Sequence, residues 1–375
     1  MAKFRQKMGL LRGLLSRRFV FAGPVAVTVN VTRRCNLRCL GCFSHSPYID
    51  NRMAGDLPSE DLDFDMFGRL CRELQTMGTG TLVICGDGEP LLHPQLVDMI
   101  RLAKGSGFRT VLLTNGTLID EAKARALVDT GIDLVRISFW AATPDDYEKA
   151  CPGASGEYFV NAVKAVDYLT SAKDARRASS PCVALHLIIN RYSVRGIDSF
   201  IDLALKTDCD FVSFSPLHTV FGQLDSFGLS RQEESVLKVR LGHAKKKLGS
   251  FGVRHNIDET LKRYEIGVDV RQKIPCYIGW MQCRIKTDGM VQPCNPCRWP
   301  MGTLRERSLR EIWTGSAYEE FRERILFPDT SATIDERCDC SFCCYLGENL
   351  RVHNLYKWLS PLSRIFGKSI KSRVF

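Results

Sequence analysis

The chain has 375 residues, of which 45% are hydrophobic and 25% are charged, and it contains 16 cysteines. These values are those of a soluble globular protein with room for one large domain and a smaller one. The formal net charge of +10 lies at the two ends, because residues 1–18 and 357–375 hold eleven basic residues and no acid. The near-neutral body argues against a nucleic-acid groove built into the fold.

Residues 1–24 form a basic amphipathic segment, whose leucines would share one face of a helix (Leu10, Leu11, Leu14 and Leu15). Such a helix can lie on an anionic membrane surface or pack on its own domain. The segment lacks the apolar stretch and cleavage site of a secretory signal. The apolar run at 19–31 is too short to span a bilayer. We therefore expect a cytoplasmic protein, peripheral at the inner membrane surface at most, whose cysteines bind metals.

Three cysteines follow a predicted strand that begins at Val25. Cys35, Cys39 and Cys42 have the spacing C-x3-C-x2-C. Three thiolates on one loop can hold three corners of a [4Fe–4S] cluster, and the fourth iron is then open to a small molecule. Zinc is the alternative, because His45 could complete a set of four ligands.

Short apolar strands alternate with helices after this loop, a pattern typical of βα units around a parallel sheet. Helices are predicted at 59–77 with Ser59 as N-cap, and at 94–107, 121–130, 155–171 and 197–207. The strands between them are predicted to end at the turn Gly86-Asp87-Gly88-Glu89-Pro90 and near Asn115, Ser138, Asn190 and Ser215. Residues 224–275 are predicted as a mostly helical bridge.

Eight further cysteines lie close together in the last third of the sequence. They are Cys276, Cys283, Cys294, Cys297, Cys338, Cys340, Cys343 and Cys344. Asp288-Gly289 predicts a hairpin turn between two short strands, and C-x2-C pairs serve both clusters and zinc. Residues 346–375 form a basic amphipathic tail, in which Pro361 is expected to interrupt a long helix. Cys71, Cys85, Cys151, Cys182 and Cys209 are expected in the core.

The cysteine loop resembles the signature of the radical S-adenosylmethionine (SAM) family, and the turn at 86–90 resembles its GGEP motif. The resemblance implies an α/β fold with a partial (β/α)6 radical SAM barrel over residues 25–223. It also implies that Cys35, Cys39 and Cys42 hold the cluster whose open iron binds SAM. In such a barrel the polar residues at the carboxyl ends of the strands would converge on one mouth.

Contacts to SAM are implied by the same resemblance. Glu89 would hold the SAM amino group, and Ser138 and Asn190 fall where the family contacts the ribose and carboxylate. Gly41 stands where the family often has an aromatic residue beside the adenine, so a backbone contact is expected there. Each residue could instead satisfy local turn backbone. The full implied set is Gly41, Phe43, Gly86, Gly88, Glu89, Pro90, Asn115, Ser138 and Asn190.

Residues 276–345 resemble a SPASM or twitch domain, the auxiliary-cluster extension of many radical SAM enzymes. Cys276, Gly289 and Cys294 meet its opening spacing, and a helix with an Ile-Trp pair follows. Two cysteines of the full SPASM pattern are missing after Cys344, which favours one auxiliary [4Fe–4S] cluster, although eight thiols could hold a second. The implied ligands are Cys276, Cys294, Cys340 and Cys343, with Cys283 as a substitute.

The resemblance implies that the chain reductively cleaves SAM to a 5′-deoxyadenosyl radical, which abstracts a hydrogen atom from the substrate. A donor such as flavodoxin or ferredoxin would supply the electron, and no further catalytic residue is identified. The auxiliary cluster favours an oxidoreductase that dehydrogenates a small molecule, sugar or lipid-linked substrate. A peptide-modifying maturase is the alternative, which the short stretch before Val25 disfavours because it leaves no room for a leader-binding domain. The alternative of another class is a non-catalytic, zinc-stapled binding protein with basic arms.

Overall fold

In the computed structural model of this chain, the described residues are 2–50, 61–267, 270–326 and 337–366. Within those ranges ten strands form one sheet in the order β10-β9-β8-β1-β2-β3-β4-β5-β6-β7. The strands are β1 (Ala26–Asn30), β2 (Thr81–Cys85), β3 (Arg109–Thr114), β4 (Leu134–Phe139), β5 (Cys182–Ile189), β6 (Phe211–Pro216), β7 (Arg254–His255), β8 (Gln282–Ile285), β9 (Met290–Gln292) and β10 (Gly302–Thr303).

The helices in the described residues separate most of these strands. They are α1 (Ala2–Ser16), α2 (Phe64–Met77), α3 (Leu96–Gly105), α4 (Glu121–Asp129), α5 (Pro144–Ala150), α6 (Gly156–Ala175), α7 (Ile197–Lys206), α8 (Arg231–Ser250), α9 (Ile257–Ile266), α10 (Val270–Lys273), α11 (Leu309–Trp313), α12 (Ser316–Leu326) and α13 (Leu346–Phe366).

Strands β1 to β7 run parallel, and each connection between them carries at least one helix. This confirms the predicted α/β fold with its six βα units. The sequence analysis missed β7, because two residues are too few to show an alternating pattern. All parallel strands present their carboxyl ends at the same edge of the sheet, where ligands of such folds bind.

Alternating burial along β4 shows how the sheet separates its two faces. Val135, Ile137 and Phe139 are fully buried under the helices, whereas Arg136 and Ser138 are only partly buried and lie on the opposite face. That opposite face lines the interior of the curved sheet, which we call the lumen. Polar side chains on this face therefore meet each other rather than the apolar core.

Helix α2 begins later than the sequence analysis predicted. Its N-cap is Asp63, whose side chain accepts a hydrogen bond from the Met66 N–H, and it ends at Gly78 in the left-handed conformation (φ 78°). Ser59, the predicted N-cap, lies outside the described residues. Asp63 satisfies an N–H that the first helical turn would otherwise leave unpaired.

The hairpin predicted at Asp288-Gly289 is confirmed, and its position joins the two cysteine regions. Gly289 has φ 85°, and the Lys286 N–H donates to the Met290 carbonyl at 2.9 Å. The first hairpin strand, β8, pairs in parallel with β1. The hairpin therefore extends the main sheet from the strand that leads into Cys35.

Helix α1 packs on the rest of the protein. Leu14 is 1% exposed, and the indole N–H groups of Trp280 and Trp313 donate to the carbonyls of Phe19 and Ala22. Arg18 forms a 2.9 Å ion pair with Glu319. Part of the apolar face of α1 is thus used inside the molecule. None of the helices in the described ranges is long and apolar enough to cross a membrane.

The expectation that Pro361 interrupts the last helix is wrong, because α13 runs from Leu346 to Phe366 through that residue. Proline removes one backbone donor from a helix, and a helix can accommodate the loss by bending.

The N-cap of α2 gives a direct stability test. We expect Asp63→Ala to lower the free energy of unfolding by about 1 kcal/mol, because the Met66 N–H loses its acceptor. Asp65→Ala is the control, since Asp65 lies in the first turn but does not cap the helix. Urea titration followed by circular dichroism measures both variants, and equal losses for the two would contradict the cap assignment.

Candidate active site at the carboxyl ends of the strands

The three cysteines that follow β1 lie on one loop. The Cys42 N–H donates to the Cys39 carbonyl at 3.1 Å, which closes a tight turn. Burial raises the pKa of Cys35 to about 12, and the nearby Cys39 and Cys42 thiols raise it further. Cys151, expected as a plain core residue, places its sulfur 3.5 Å from the Cys39 sulfur. This contact could not be predicted, because Cys151 lies far from the cysteine loop along the sequence.

The turn at 86–90 is locked against the cysteine loop by its backbone. The Gly88 N–H donates to the Thr32 carbonyl at 3.0 Å, and the Glu89 N–H donates to the Arg34 carbonyl at 2.8 Å. A Cβ atom on Gly88 would lie 2.1 Å from the Arg34 oxygen, and one on Gly86 would lie 2.4 Å from the Gly88 oxygen. Only glycine fits such close backbone approaches, so these glycines have a packing role beside any contact with SAM.

Glu89 is 2% exposed and already bound by protein donors. Its carboxylate accepts hydrogen bonds from the Thr114 hydroxyl at 2.6 Å, the Asn115 N–H at 2.7 Å and the Leu91 N–H at 3.1 Å. Burial raises its pKa, and these donors oppose the shift. Two of the bonds use Oε1 and one uses Oε2, so a carboxylate with about four acceptor positions keeps one for a ligand. Pro90 begins the 3-10 turn that positions this residue.

Asn115 ties the end of β3 to the cysteine loop. Its amide N–H donates to the Asn36 side-chain oxygen at 2.9 Å, and its own oxygen accepts from the backbone and hydroxyl of Thr117. Asn36 in turn donates to the Thr117 hydroxyl at 2.8 Å. The sequence analysis missed Asn36, although its place between Cys35 and Cys39 was a usable signal.

Ser138 and Asn190, the residues implied as SAM ribose and carboxylate contacts, have different surroundings. Ser138 lies on the lumen face, and its hydroxyl has no hydrogen bond to any described residue. Asn190 is fully buried, its NH2 donates to the carbonyls of Trp140 and Ile188, and its oxygen accepts from two backbone N–H groups. Asn190 therefore has no hydrogen-bonding capacity left for a ligand.

Gly41 and Phe43 lie beside aromatic residues from other strands. A Cβ on Gly41 would lie 2.8 Å from the Trp140 ring and 2.6 Å from Leu217. Phe43 packs on the His218 ring with centroids 5.1 Å apart. The aromatic group that the motif lacks at residue 41 is thus present as Trp140, just after β4. This contact could not be predicted, because Trp140 lies far from Gly41 along the sequence.

A second group of thiols forms near the hairpin. Burial raises the pKa of Cys294, and thiols of four other cysteines add to the shift: Cys344, Cys276, Cys340 and Cys343. The other three implied auxiliary ligands are therefore within electrostatic range of Cys294. Cys283 lies in β8 and is buried. Burial raises its pKa, and the charge that adds to the shift comes from Glu73 rather than from a thiol.

Cys297 and Cys338 form a disulfide, a pairing that the sequence analysis did not predict. Backbone hydrogen bonds flank it, from the Arg298 N–H to the Arg337 carbonyl and from the Asp339 N–H to the Pro296 carbonyl. These contacts hold the loop after Cys294 against the loop before Cys340.

A buried ion pair joins β8 to the turn at 86–90. Arg284 of β8 and Asp87 are 2.6 Å apart, with side chains 9% and 5% exposed. Burial alone would raise the pKa of Asp87, but Arg284 and Lys286 hold it below its usual range. The charge of Asp87 also raises the pKa of the Cys42 thiol, and the Cys294 thiol raises the pKa of Arg284. One thiol of each group is thus within electrostatic range of this ion pair.

Both groups suit iron–sulfur clusters in number and kind of ligand, with three thiols in the first and four or five in the second. No three His, Cys, Asp or Glu side chains of the described ranges are arranged to hold a single metal ion. A cubane spreads its thiolates around four irons, so this finding concerns mononuclear sites only.

Comparison with known proteins supports this assignment. The model of the radical SAM superfamily matches residues 29–204, and the SPASM model, described as an iron–sulfur cluster-binding domain, matches residues 276–345. Among solved structures, Streptococcus suis SuiB bound to S-adenosylmethionine has a TM-score of 0.64 at 14% identity, covering 90% of this chain and 76% of that one. Native anSMEcpe with bound AdoMet has a TM-score of 0.62 at 15% identity, covering 93% and 100%.

The chain carries a radical SAM domain over residues 29–204 and a C-terminal SPASM domain over residues 276–345. These domains imply a SAM-binding [4Fe–4S] cluster and auxiliary clusters. At such identities the two solved structures show the shared fold.

The close backbone contact at Gly88 predicts that a side chain at this position weakens cluster binding. Gly88→Ala drives a Cβ into the Arg34 carbonyl, so we expect the cysteine loop to shift and about half of the bound iron to be lost. Gly80→Ala is the control, because its nearest neighbour would be 3.8 Å away. Iron content after anaerobic reconstitution measures both, and wild-type iron in Gly88→Ala would refute the packing role.

We expect alanine substitutions at Ser138 and Asn190 to have opposite effects, one on SAM binding and the other on stability. Ser138→Ala should weaken SAM binding by about tenfold at most while leaving stability unchanged, because only a ligand contact is removed. Asn190→Ala should lower the free energy of unfolding by about 1–3 kcal/mol, because four buried partners lose their bonds. Calorimetric SAM titration and thermal unfolding measure the two effects. Loss of SAM affinity in Asn190→Ala without loss of stability would reverse the assignment.

Proposed function

We propose that this chain is an oxidoreductase that removes a hydrogen atom from a substrate bound in the lumen and passes an electron toward the auxiliary site. When bound, the N-terminal cluster supplies the electron that cleaves SAM, and the resulting 5′-deoxyadenosyl radical is the hydrogen-abstracting agent. Cys35, Cys39 and Cys42 are proposed as its ligands. Cys276, Cys294, Cys340 and Cys343 are proposed as the auxiliary ligands.

The observation that carries the oxidative proposal is the position of Asp87 and Arg284. Their ion pair is shielded from solvent, and it is within electrostatic range of Cys42 in one thiol group and of Cys294 in the other. A substrate in the adjoining lumen would have the SAM site on one side and an electron acceptor on the other. Removal of water from such a site also protects a radical from side reactions.

Different residues of the chain would contact different parts of the SAM molecule. The free acceptor position of Glu89 suits the ammonium group, because a charge-assisted hydrogen bond forms there. Ser138 keeps a hydroxyl for the ribose. Gly41 and Trp140 form an apolar edge that suits the adenine, and Phe43 supports His218 beside it.

A small molecule, sugar or lipid-linked compound is the proposed substrate, because the polar residues of the lumen lie inside the sheet. A peptide is the second candidate. SuiB has been crystallised with the precursor peptide SuiA, and anSMEcpe with a Cp18Cys peptide. These neighbours are 14–15% identical to this chain and support the peptide only through a shared fold. A flavodoxin or ferredoxin is proposed as electron donor, and membrane contact through the basic ends is proposed as a weak, peripheral one.

Substituting one cysteine of each thiol group in turn tests this proposal. We expect Cys42→Ala to abolish 5′-deoxyadenosine formation, because the SAM site loses a ligand. We expect Cys294→Ala to retain SAM cleavage but to lose oxidised product, with about half of the iron remaining. Cys209→Ala, a core substitution at a residue 4% exposed, is the control for both.

The measurement is chromatography of 5′-deoxyadenosine after anaerobic reduction, together with metabolite and peptide profiling of a deletion strain for the product. A colourless protein that binds zinc and does not cleave SAM would overturn the proposal.

A further inference from the structure

Helix α13 begins at Leu346, one residue after the stretch that the SPASM model matches, and the proposed chemistry does not use it. Its first turn nevertheless adjoins the proposed auxiliary ligands, because the Leu346 N–H donates to the Cys343 carbonyl at 3.2 Å. Asn349 lies in this turn and is only 3% exposed, although its side chain is polar. A buried amide needs partners for both its oxygen and its NH2 group, so the partners of Asn349 indicate its role.

The backbone of Tyr277 identifies the oxygen of the Asn349 side chain. The Tyr277 N–H donates to Oδ1 of Asn349 at 2.8 Å, and because an N–H group cannot accept, the NH2 group cannot take this place. Tyr277 is 1% exposed, which leaves its N–H dependent on Asn349 rather than on water. Since Tyr277 directly follows Cys276, this bond fixes Asn349 beside the first proposed auxiliary ligand.

The NH2 group of Asn349 is then directed at a sulfur atom. Its Nδ2 lies 3.8 Å from Sγ of Cys343, the length of a weak N–H···S hydrogen bond. A cysteine that binds iron has lost its proton, so its sulfur can only accept. One side chain thus links the backbone next to Cys276 to the sulfur of Cys343, and these two proposed ligands are far apart along the sequence.

One face of α13 holds Asn349 in this position. Tyr277 contacts three residues of the helix at the spacing i, i+4 and i+7, namely Asn349, His353 and Tyr356. The Tyr277 hydroxyl lies 2.8 Å from Nδ1 of His353, and its ring centroid lies 6.0 Å from that of Tyr356. The amide is therefore fixed by the packing of the helix as well as by its own two hydrogen bonds.

A hydrogen bond to a ligand sulfur changes the electron affinity of an iron–sulfur site. When bound, a cluster held by four thiolates carries net negative charge, which opposes the addition of an electron. An N–H donor withdraws negative charge from the sulfur, and for this reason such bonds raise the reduction potential. Asn349 is neutral, so it has this effect without adding a buried charge.

We propose that Asn349 is a positioning residue of the auxiliary site, which donates to Cys343 and raises the reduction potential of the cluster bound there. This rests on the proposed function, in which the auxiliary site receives an electron from the substrate. The substrate radical loses one electron to this cluster and one proton to water, and the product gains a double bond. A higher potential favours that electron transfer.

The test compares variants of Asn349 that separate its two bonds. Asn349→Asp keeps an oxygen that accepts from the Tyr277 N–H, but it replaces the NH2 donor by a second oxygen that repels the Cys343 sulfur. We expect the auxiliary cluster of this variant to have a more negative reduction potential than that of wild type and to lose iron to a chelator about tenfold faster. Asn349→Ala should shift the potential in the same direction by less. The measurement is an EPR-monitored redox titration of the anaerobically reconstituted holoenzyme, in which the auxiliary signal is the one that SAM does not change.

Asn354→Asp is the matched control, because Asn354 is an exposed residue of the same helix and the substitution adds the same charge. Its reduction potential and iron release should equal those of wild type. A purely structural role of Asn349 would act through Tyr277 alone, so it would leave Asn349→Asp like wild type and alter only Asn349→Ala. That result would overturn the inference.

A second measurement does not depend on the folding of any variant. Wild type is labelled isotopically at the side-chain amide nitrogen of asparagine, and the reduced auxiliary cluster is examined by pulsed EPR. We expect a hyperfine coupling to the labelled nitrogen, which Asn349→Ala should lose, and absence of the coupling in wild type would contradict the N–H···S bond. A wild type that shows the coupling but forms no 5′-deoxyadenosine from SAM after reduction would refute the proposed function instead.

Discussion

Parallel pairing of β8 with β1 is the constraint on which the rest of this structure depends. Two of its residue pairs are almost fully buried, since Val27, Val29, Cys283 and Ile285 are at most 1% exposed. Because β1 leads into the first cysteine loop and β8 follows Cys276, this pairing brings two regions about 250 residues apart into one sheet. Without it the two thiol groups would have no defined relation to each other.

The charged groups at this junction have a shared physical logic. Asp87 and Arg284 are buried together, and Lys286, which is 18% exposed, lies 3.6 Å from Asp87. The carboxylate offsets the cost of burying Arg284, and the two cations offset the cost of burying Asp87.

The glycine contacts show how a motif can serve structure and binding together. Gly88 allows the turn to touch the backbone at Arg34, and the Glu89 N–H donates to the same carbonyl. The carboxylate of Glu89 then organises Thr114 and Asn115 at the end of β3. The mouth of the sheet is therefore preorganised by the protein before any ligand arrives.

The sequence by itself determined the βα repeat, the cysteine loop, the glutamate turn and the hairpin, because each depends on residues close together in the chain. The tertiary structure decided that β8 joins β1, that Asn190 is saturated while Ser138 is free, and that Trp140 lies beside Gly41. It also decided that Cys297 pairs with Cys338. These features arise from contacts between distant segments, and local spacing carries no information about which side chains meet or which are left without a partner.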